Sequence, residues 1–203
     1  MAGNCIIDND VVCEASKQEI IRRYYVAQCG RKAGTVKEEE IYKLELLMKQ
    51  AGVTTSDRKV VQAALKREQE TNAPAAAMEL PDGTIITGRT SNLLGAASAL
   101  LLNALKYFGG IEEDVLLMSP DVIEPIQNLK VEHLGNQNPR LHTDETLLAL
   151  AICATTSPEA KCATEQISKL RGCDVHSTVI LSAVDERTFK RLGVNLTCEP
   201  KYQ

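Results

Sequence analysis

Residues 75–87 read Ala75-Ala76-Ala77-Met78-Glu79-Leu80-Pro81-Asp82-Gly83-Thr84-Ile85-Ile86-Thr87. Two short runs flank a Pro-Asp-Gly triplet. Proline presets its own φ, aspartate can bond the backbone two residues on, and glycine accepts a positive φ. The stretch therefore predicts a β-hairpin with arms at 75–80 and 84–87. Before it the chain reads as helix. After it, helices alternate with short strand-like runs. The hairpin thus marks a change from a helical subdomain, 1–74, to a layered domain, 75–203, in an α+β or α/β fold.

Upstream, Ser16-Lys17-Gln18-Glu19 has the form of a capping box, and Ile20, Ile21, Tyr24 and Tyr25 follow at helical spacing. Val11 and Val12 fit either an upstream extension of this helix or a hairpin across Asp8-Asn9-Asp10. Thr35-Val36-Lys37-Glu38 is a second box, leading into the stripe Ile41, Leu44, Leu47, Met48 and Ala51 with Gly52 as its stop. A third helix starts after Thr55 or Ser56 and turns Val60, Val61, Ala64 and Leu65 inward.

Downstream, a helix is expected from about 93 to 107, ended by Gly109-Gly110. A buried strand is expected at 115–118. Ser119-Pro120 opens a helix carrying Ile123 and Ile126 and bent at Pro125. Thr143 caps a helix so apolar that both its faces are expected to be buried. Ser157-Pro158 opens the next. Strands follow at 178–181 and 194–198, with a short helix at 185–192 between them.

The 203 residues hold 23 basic and 27 acidic side chains, a net charge of −4. Residues 1–74 carry 12 basic and 11 acidic groups (+1), and 75–203 carry 11 and 16 (−5). Phosphate backbones are held by clustered Lys and Arg, so nucleic acid is excluded as the main partner. With five Tyr, two Phe and no Trp, a base-stacking platform is excluded too. The longest uncharged stretch, between Arg89 and Lys106, is shorter than the roughly 20 apolar residues a membrane span requires. The seven cysteines are odd in number and lack a Cys-x-x-Cys pair. Reduced thiols in a cytoplasmic protein are therefore expected, and no zinc-ligand spacing is present.

Three polar stretches could carry chemistry. In Thr87-Gly88-Arg89-Thr90-Ser91, between strand and helix, Gly88 would admit close backbone approach. Arg89, Thr90 and Ser91 could contact an anion at a helix start, though no P-loop pattern is present. In Asn138-Pro139-Arg140-Leu141-His142-Thr143-Asp144-Glu145, Arg140 could hold the same anion while His142 and Asp144 move a proton. In Cys173-Asp174-Val175-His176-Ser177-Thr178, His176 could approach His142. With Asp144 the two imidazoles would also form a metal-compatible set, which the spacing does not demand. Ser177 lacks the elbow of a hydrolase nucleophile. Each stretch has a purely structural reading as well: a glycine bend, an ordinary helix cap, a hydrogen-bonded core histidine.

Taken together, Glu79 to Thr84, Thr87 to Ser91, Ile123 to Gln127, Asn138 to Glu145, His176-Ser177-Thr178 and Leu196 to Pro200 resemble the C-terminal part of uncharacterised protein family 0371, the domain of unknown function 1846. Met1 to Asn4 and Gln18 to Tyr25 resemble it as well, so the resemblance covers nearly the whole chain. It implies a mostly bacterial, cytoplasmic protein. It also implies a helical subdomain before an α/β domain of cytidine-deaminase-like topology, here without that fold's zinc motif, and no settled activity or cofactor. Members are longer, with Met1 matching an internal position, so a fragment or a split-gene product is expected, lacking the family's N-terminal region and its glycine-rich, phosphate-binding-like loop. Two functions remain open. One is an anion- or nucleotide-handling enzyme region that takes a phosphate- or carboxylate-bearing small molecule. The other is a structural or oligomerisation module that packs on the missing N-terminal region or on a second copy.

Overall fold

The computed structural model describes residues 9–202. Helix α1 runs over Asn9–Lys32, so Val11 and Val12 continue the helix and no hairpin forms there. Ser16 is interior to it; its Oγ donates to the Val12 carbonyl instead of capping a first turn. Helix α2 spans Glu38–Ala51 and stops at Gly52, whose φ of 66° is left-handed. A capping box forms at Thr54 and Asp57 instead, in a short 3₁₀ turn leading into α3, Lys59–Thr71.

The hairpin folds as β1, Ala75–Glu79, and β2, Ile85–Arg89. Helix α4 (Ala96–Gly109) follows, then α5 (Pro120–Asn128), a π-helical turn (Leu129–His133), α6 (Thr143–Cys153) and α7 (Pro158–Glu165). Strand β3 (Asp174–Ser177), α8 (Ala183–Leu192) and β4 (Asn195–Cys198) complete the order. The sheet order is β2-β1-β3-β4. Strand β1 runs against both its neighbours, and β3 and β4 are parallel. Three strands therefore end at one edge, with β1 beginning there.

Alternation along each strand sends side chains to two helical layers. On one face Ala77 meets Val60 and Ala64 of α3, and α1 with α2 closes a cluster of Ile21, Tyr25, Met48 and Val61. On the other, Ala76, Met78 and Val175 join Leu100, Leu101 and Leu105 of α4, Leu150 of α6 and Phe189 of α8 in the main core. The fold is thus a mixed α/β sandwich with helices on both faces of the sheet.

Three expectations need correction. Residues 115–118 form no strand: Leu117 and Met118 are buried, but the chain turns, with the Val115 amide donating to Glu112. A brief apolar run fills a core equally well as a loop. The strand expected at 178–181 lies earlier, at Asp174–Ser177, because its alternate residues Asp174 and His176 find buried polar partners on the α1–α3 face. Helix α6 is buried on one face only, and Leu148 and Ile152 are each 67% exposed.

Candidate functional site

Strands β2 and β3 end at the same edge of the sheet, and the segments that follow them shape a cavity of about 160 Å³. Its walls include Thr90 after β2, the first turn of α4, Asn138 to His142, and residues 179–182 with Asp185. Ligands of α/β sheets commonly sit beyond such carboxyl ends.

The centre of the wall is a pair that bridges two helix starts. His142 Nδ1 lies 3.0 Å from Asp185 Oδ2. Ser182 Oγ donates to the same carboxylate at 2.7 Å, and the Thr143 amide donates to Oδ1 at 2.8 Å. Burial pushes the Asp185 carboxyl up, but these three donors outweigh it and hold the acid below its ordinary value. The hydrogen bond to Asp185 raises the His142 imidazole, against partial burial. The pair orients the ring through Nδ1, the arrangement that leaves Nε2 as the working nitrogen of an acid–base histidine.

Three helix starts line the cavity, and they are not equivalent. Those of α6 and α8 already have carboxylate or hydroxyl acceptors: Glu145 takes the His142 amide, Asp185 the Thr143 amide, and Ser182 caps α8. Helix α4 has no side-chain cap, and its N-cap is Gly95. Its first amides therefore project toward the cavity without a side-chain acceptor, and the helix dipole adds positive potential there. Arg140 stands on the same wall, its Nε donating to the Ser91 carbonyl at 2.7 Å.

The anticipated residues are partly assembled. Thr90, Arg140 and His142 share the cavity. Ser91 makes a local turn, its Oγ accepting the Leu93 and Leu94 amides. Arg89 is exposed and its guanidinium reaches only the Thr90 carbonyl, at 3.4 Å. Gly88 lies inside β2, where a Cβ would stand 2.3 Å from the Leu100 nitrogen, so its missing side chain permits close strand–helix contact. Asp144 is exposed and accepts the neighbouring Glu145 amide, so the carboxylate that meets the His142 ring is that of Asp185.

His176 does not join this group. It is fully buried on the opposite face of the sheet, between Thr197 (2.9 Å) and Glu199 (3.1 Å), beside the Tyr25 ring. Burial holds its imidazole below the ordinary value. Next to it, Arg58 is 1% exposed and ties β3 to β4 through the carbonyls of Val175 and Asn195, with Asp174 at 3.1 Å. Among the described residues no group of three or more His, Cys, Asp or Glu side chains is placed to hold a metal ion, and the six described cysteines are free thiols. No described helix is long and apolar enough to cross a membrane.

Sequence reading missed Asp185, although Ser182-Ala183-Val184-Asp185 has the spacing of a helix cap. It also missed Lys130, which is only 2% exposed within the π-helical turn.

A family model described as the C-terminal domain of unknown function DUF1846 matches residues 56–203, and one for the N-terminal domain of DUF1846 matches residues 1–52. The chain is 52% identical over 202 residues to a UPF0371 protein of Corynebacterium urealyticum and 51% identical over 203 residues to one of Corynebacterium efficiens. It is 48% identical over 203 residues to a UPF0371 protein of Streptococcus pneumoniae. In each comparison the whole chain is covered, but only 41% of the relative.

Proposed function

The chain belongs to the DUF1846 family, and we propose that its α/β part, 75–203, supplies an anion-binding acid–base site within an enzyme region. The ligand is a small phosphate- or carboxylate-bearing molecule. Arg140 and the uncapped first turn of α4 hold the anionic group. His142, oriented by Asp185, exchanges a proton with the molecule's reactive atom. The observation that carries this reading is the meeting of Arg140, His142 and a helix start without a side-chain cap on one cavity at the carboxyl edge of the sheet. The Asp185 carboxylate is already engaged by the His142 ring, the Ser182 hydroxyl and the Thr143 amide, which offsets its repulsion of such a guest.

The sheet order β2-β1-β3-β4, with β1 alone reversed, supports a cytidine-deaminase-like topology for 75–203. The helices α1 to α3, within 1–74, then serve as a subdomain that covers the far face. We place the protein in the cytoplasm, in keeping with its free thiols.

The test is titration of the chain with inorganic phosphate, followed through backbone amide shifts. Saturable movement of the Ala96, Ala97 and Ser98 amides, with His142, supports the site. Phosphate that moves none of them overturns it.

A second reading is favoured by α2. Tyr42 and Leu46 stand one helical turn apart and are 61% and 42% exposed, with Leu47 beside them. Such a stripe suits a structural or oligomerisation module. It would pack on a second copy, or on the part of the longer relatives that this chain does not span.

A further inference from the structure

Lys130 sits in the π-helical turn Leu129–His133, whose neighbours Leu129, Val131 and Leu134 all face solvent. A cation buried in the middle of an exposed segment is costly unless its partners are fixed. Its Nζ donates to the Arg140 carbonyl at 2.7 Å and to Glu145 Oε2 at 2.6 Å. That same Oε2 accepts the His142 amide at 2.8 Å. One ammonium thus grips the backbone of the residue proposed to hold the anion. Through one shared oxygen it also grips the backbone of the residue proposed to move the proton. A π turn inserts an extra residue, which re-aims side chains and recurs at functional sites; here the residue aimed inward is this lysine.

We propose that Lys130 is a positioning residue for the cavity, locking the 138–142 segment so that Arg140 and His142 address one ligand together. The inference rests on the anion-site reading and extends it to a residue that lines no part of the cavity. Lys130 does not touch the ligand. It sets the distance between the anion clamp and the imidazole, and with Glu145 it sets the charge the imidazole feels. The charged groups that act on His142 are Asp185 from α8, Glu145 from α6 and Lys130 from the π turn. Lys130 opposes its protonation, and Glu145 and Asp185 favour it.

The experiment follows the His142 ring by NMR across pH, with and without inorganic phosphate, in wild type, Lys130→Met, Lys130→Arg and Glu145→Gln. Lys130→Met is expected to move the His142 titration upward and to weaken phosphate about tenfold, a typical coupling between linked sites. Glu145→Gln, which keeps the shape of the acceptor, is expected to move it downward. Lys130→Arg is expected to restore phosphate affinity to within about threefold of wild type. A lysine that merely neighbours the ring would shift its titration without weakening phosphate, so the positioning role requires both readouts to move in Lys130→Met. Shifts of the same sign, or none, in folded variants overturn the proposal. If Lys130→Met does not fold, Lys130→Gln, which also removes the charge but keeps a hydrogen-bond donor, carries the same decision. If wild type binds no phosphate, the anion-site reading fails and takes this role with it; if wild type binds phosphate and folded Lys130→Met binds it equally well, the positioning role alone is overturned.

Discussion

His142 and Asp185 meet at 3.0 Å across 43 residues of sequence, each at or near the start of its own helix. The carboxylate serves three donors at once: the imidazole, the Ser182 hydroxyl and the Thr143 amide. Replacing it by Asp185→Asn removes the charge but keeps the volume. The folded state should lose about 2 kcal/mol, as when charge-assisted hydrogen bonds are weakened in a buried place. Urea denaturation measures this. The His142 titration should fall, because its main stabilising acceptor is neutral. An unchanged titration would mean that the pair does not tune the ring.

The two histidine environments predict opposite pH slopes. His142 is raised in the folded protein, so its contribution is fully present below the ordinary imidazole value of about 6.5. It is lost as pH rises through the folded value. His176 is lowered by burial, so its contribution is present above about 6.5 and is lost as pH falls through its folded value. Relative to wild type, His142→Gln should therefore cost more near about pH 6 than near about pH 9. Urea midpoints collected across pH decide this; a cost that grows with pH contradicts the assignment.

Arg140 and Arg89 separate the cavity from the surface. Arg140→Met should weaken phosphate binding about tenfold, or about 1.4 kcal/mol, by removing a charge-assisted contact. Arg89→Met, on an exposed side chain, should leave it unchanged. Calorimetry on both variants is the check, and equal effects would place the anion elsewhere.

Gly88→Ala should destabilise by about 3 kcal/mol, because the added Cβ meets backbone of α4, which cannot rotate away. Thermal melts measure it. A variant as stable as wild type would mean that β2 and α4 do not need the close approach at Gly88.

If α2 is a docking face, Tyr42→Lys combined with Leu46→Lys should abolish any concentration-dependent association seen by sedimentation while leaving the melting temperature nearly unchanged. Association that persists in the double variant would move the interface off α2.

The hairpin at Pro81-Asp82-Gly83, the glycine stop of α2 and the proline-led starts of α5 and α7 were legible because each is fixed by local backbone chemistry. Strand β3 was misplaced because its signal is tertiary. Asp174 and His176 look like loop residues until Arg58, Thr197 and Glu199 are brought to them from far along the chain. The same holds for the site. Arg140 and His142 stood out by type and spacing, whereas Asp144 was the nearest acid in sequence and Asp185 the nearest in space. Gly88 drew attention as a flexible residue, but its lack of a side chain serves packing.

Arg58 gives the helical layer a chemical hold on the sheet, since its guanidinium answers two carbonyls of parallel strands and the Asp174 carboxylate beneath α1 and α3. A piece of this protein cut to begin at the hairpin would lose that cation and open these acceptors, with the apolar sheet face around them, to water. Any swap of the preceding helices must therefore carry a replacement cation to that spot, so the two halves are free to diverge in surface but bound to be inherited as one block.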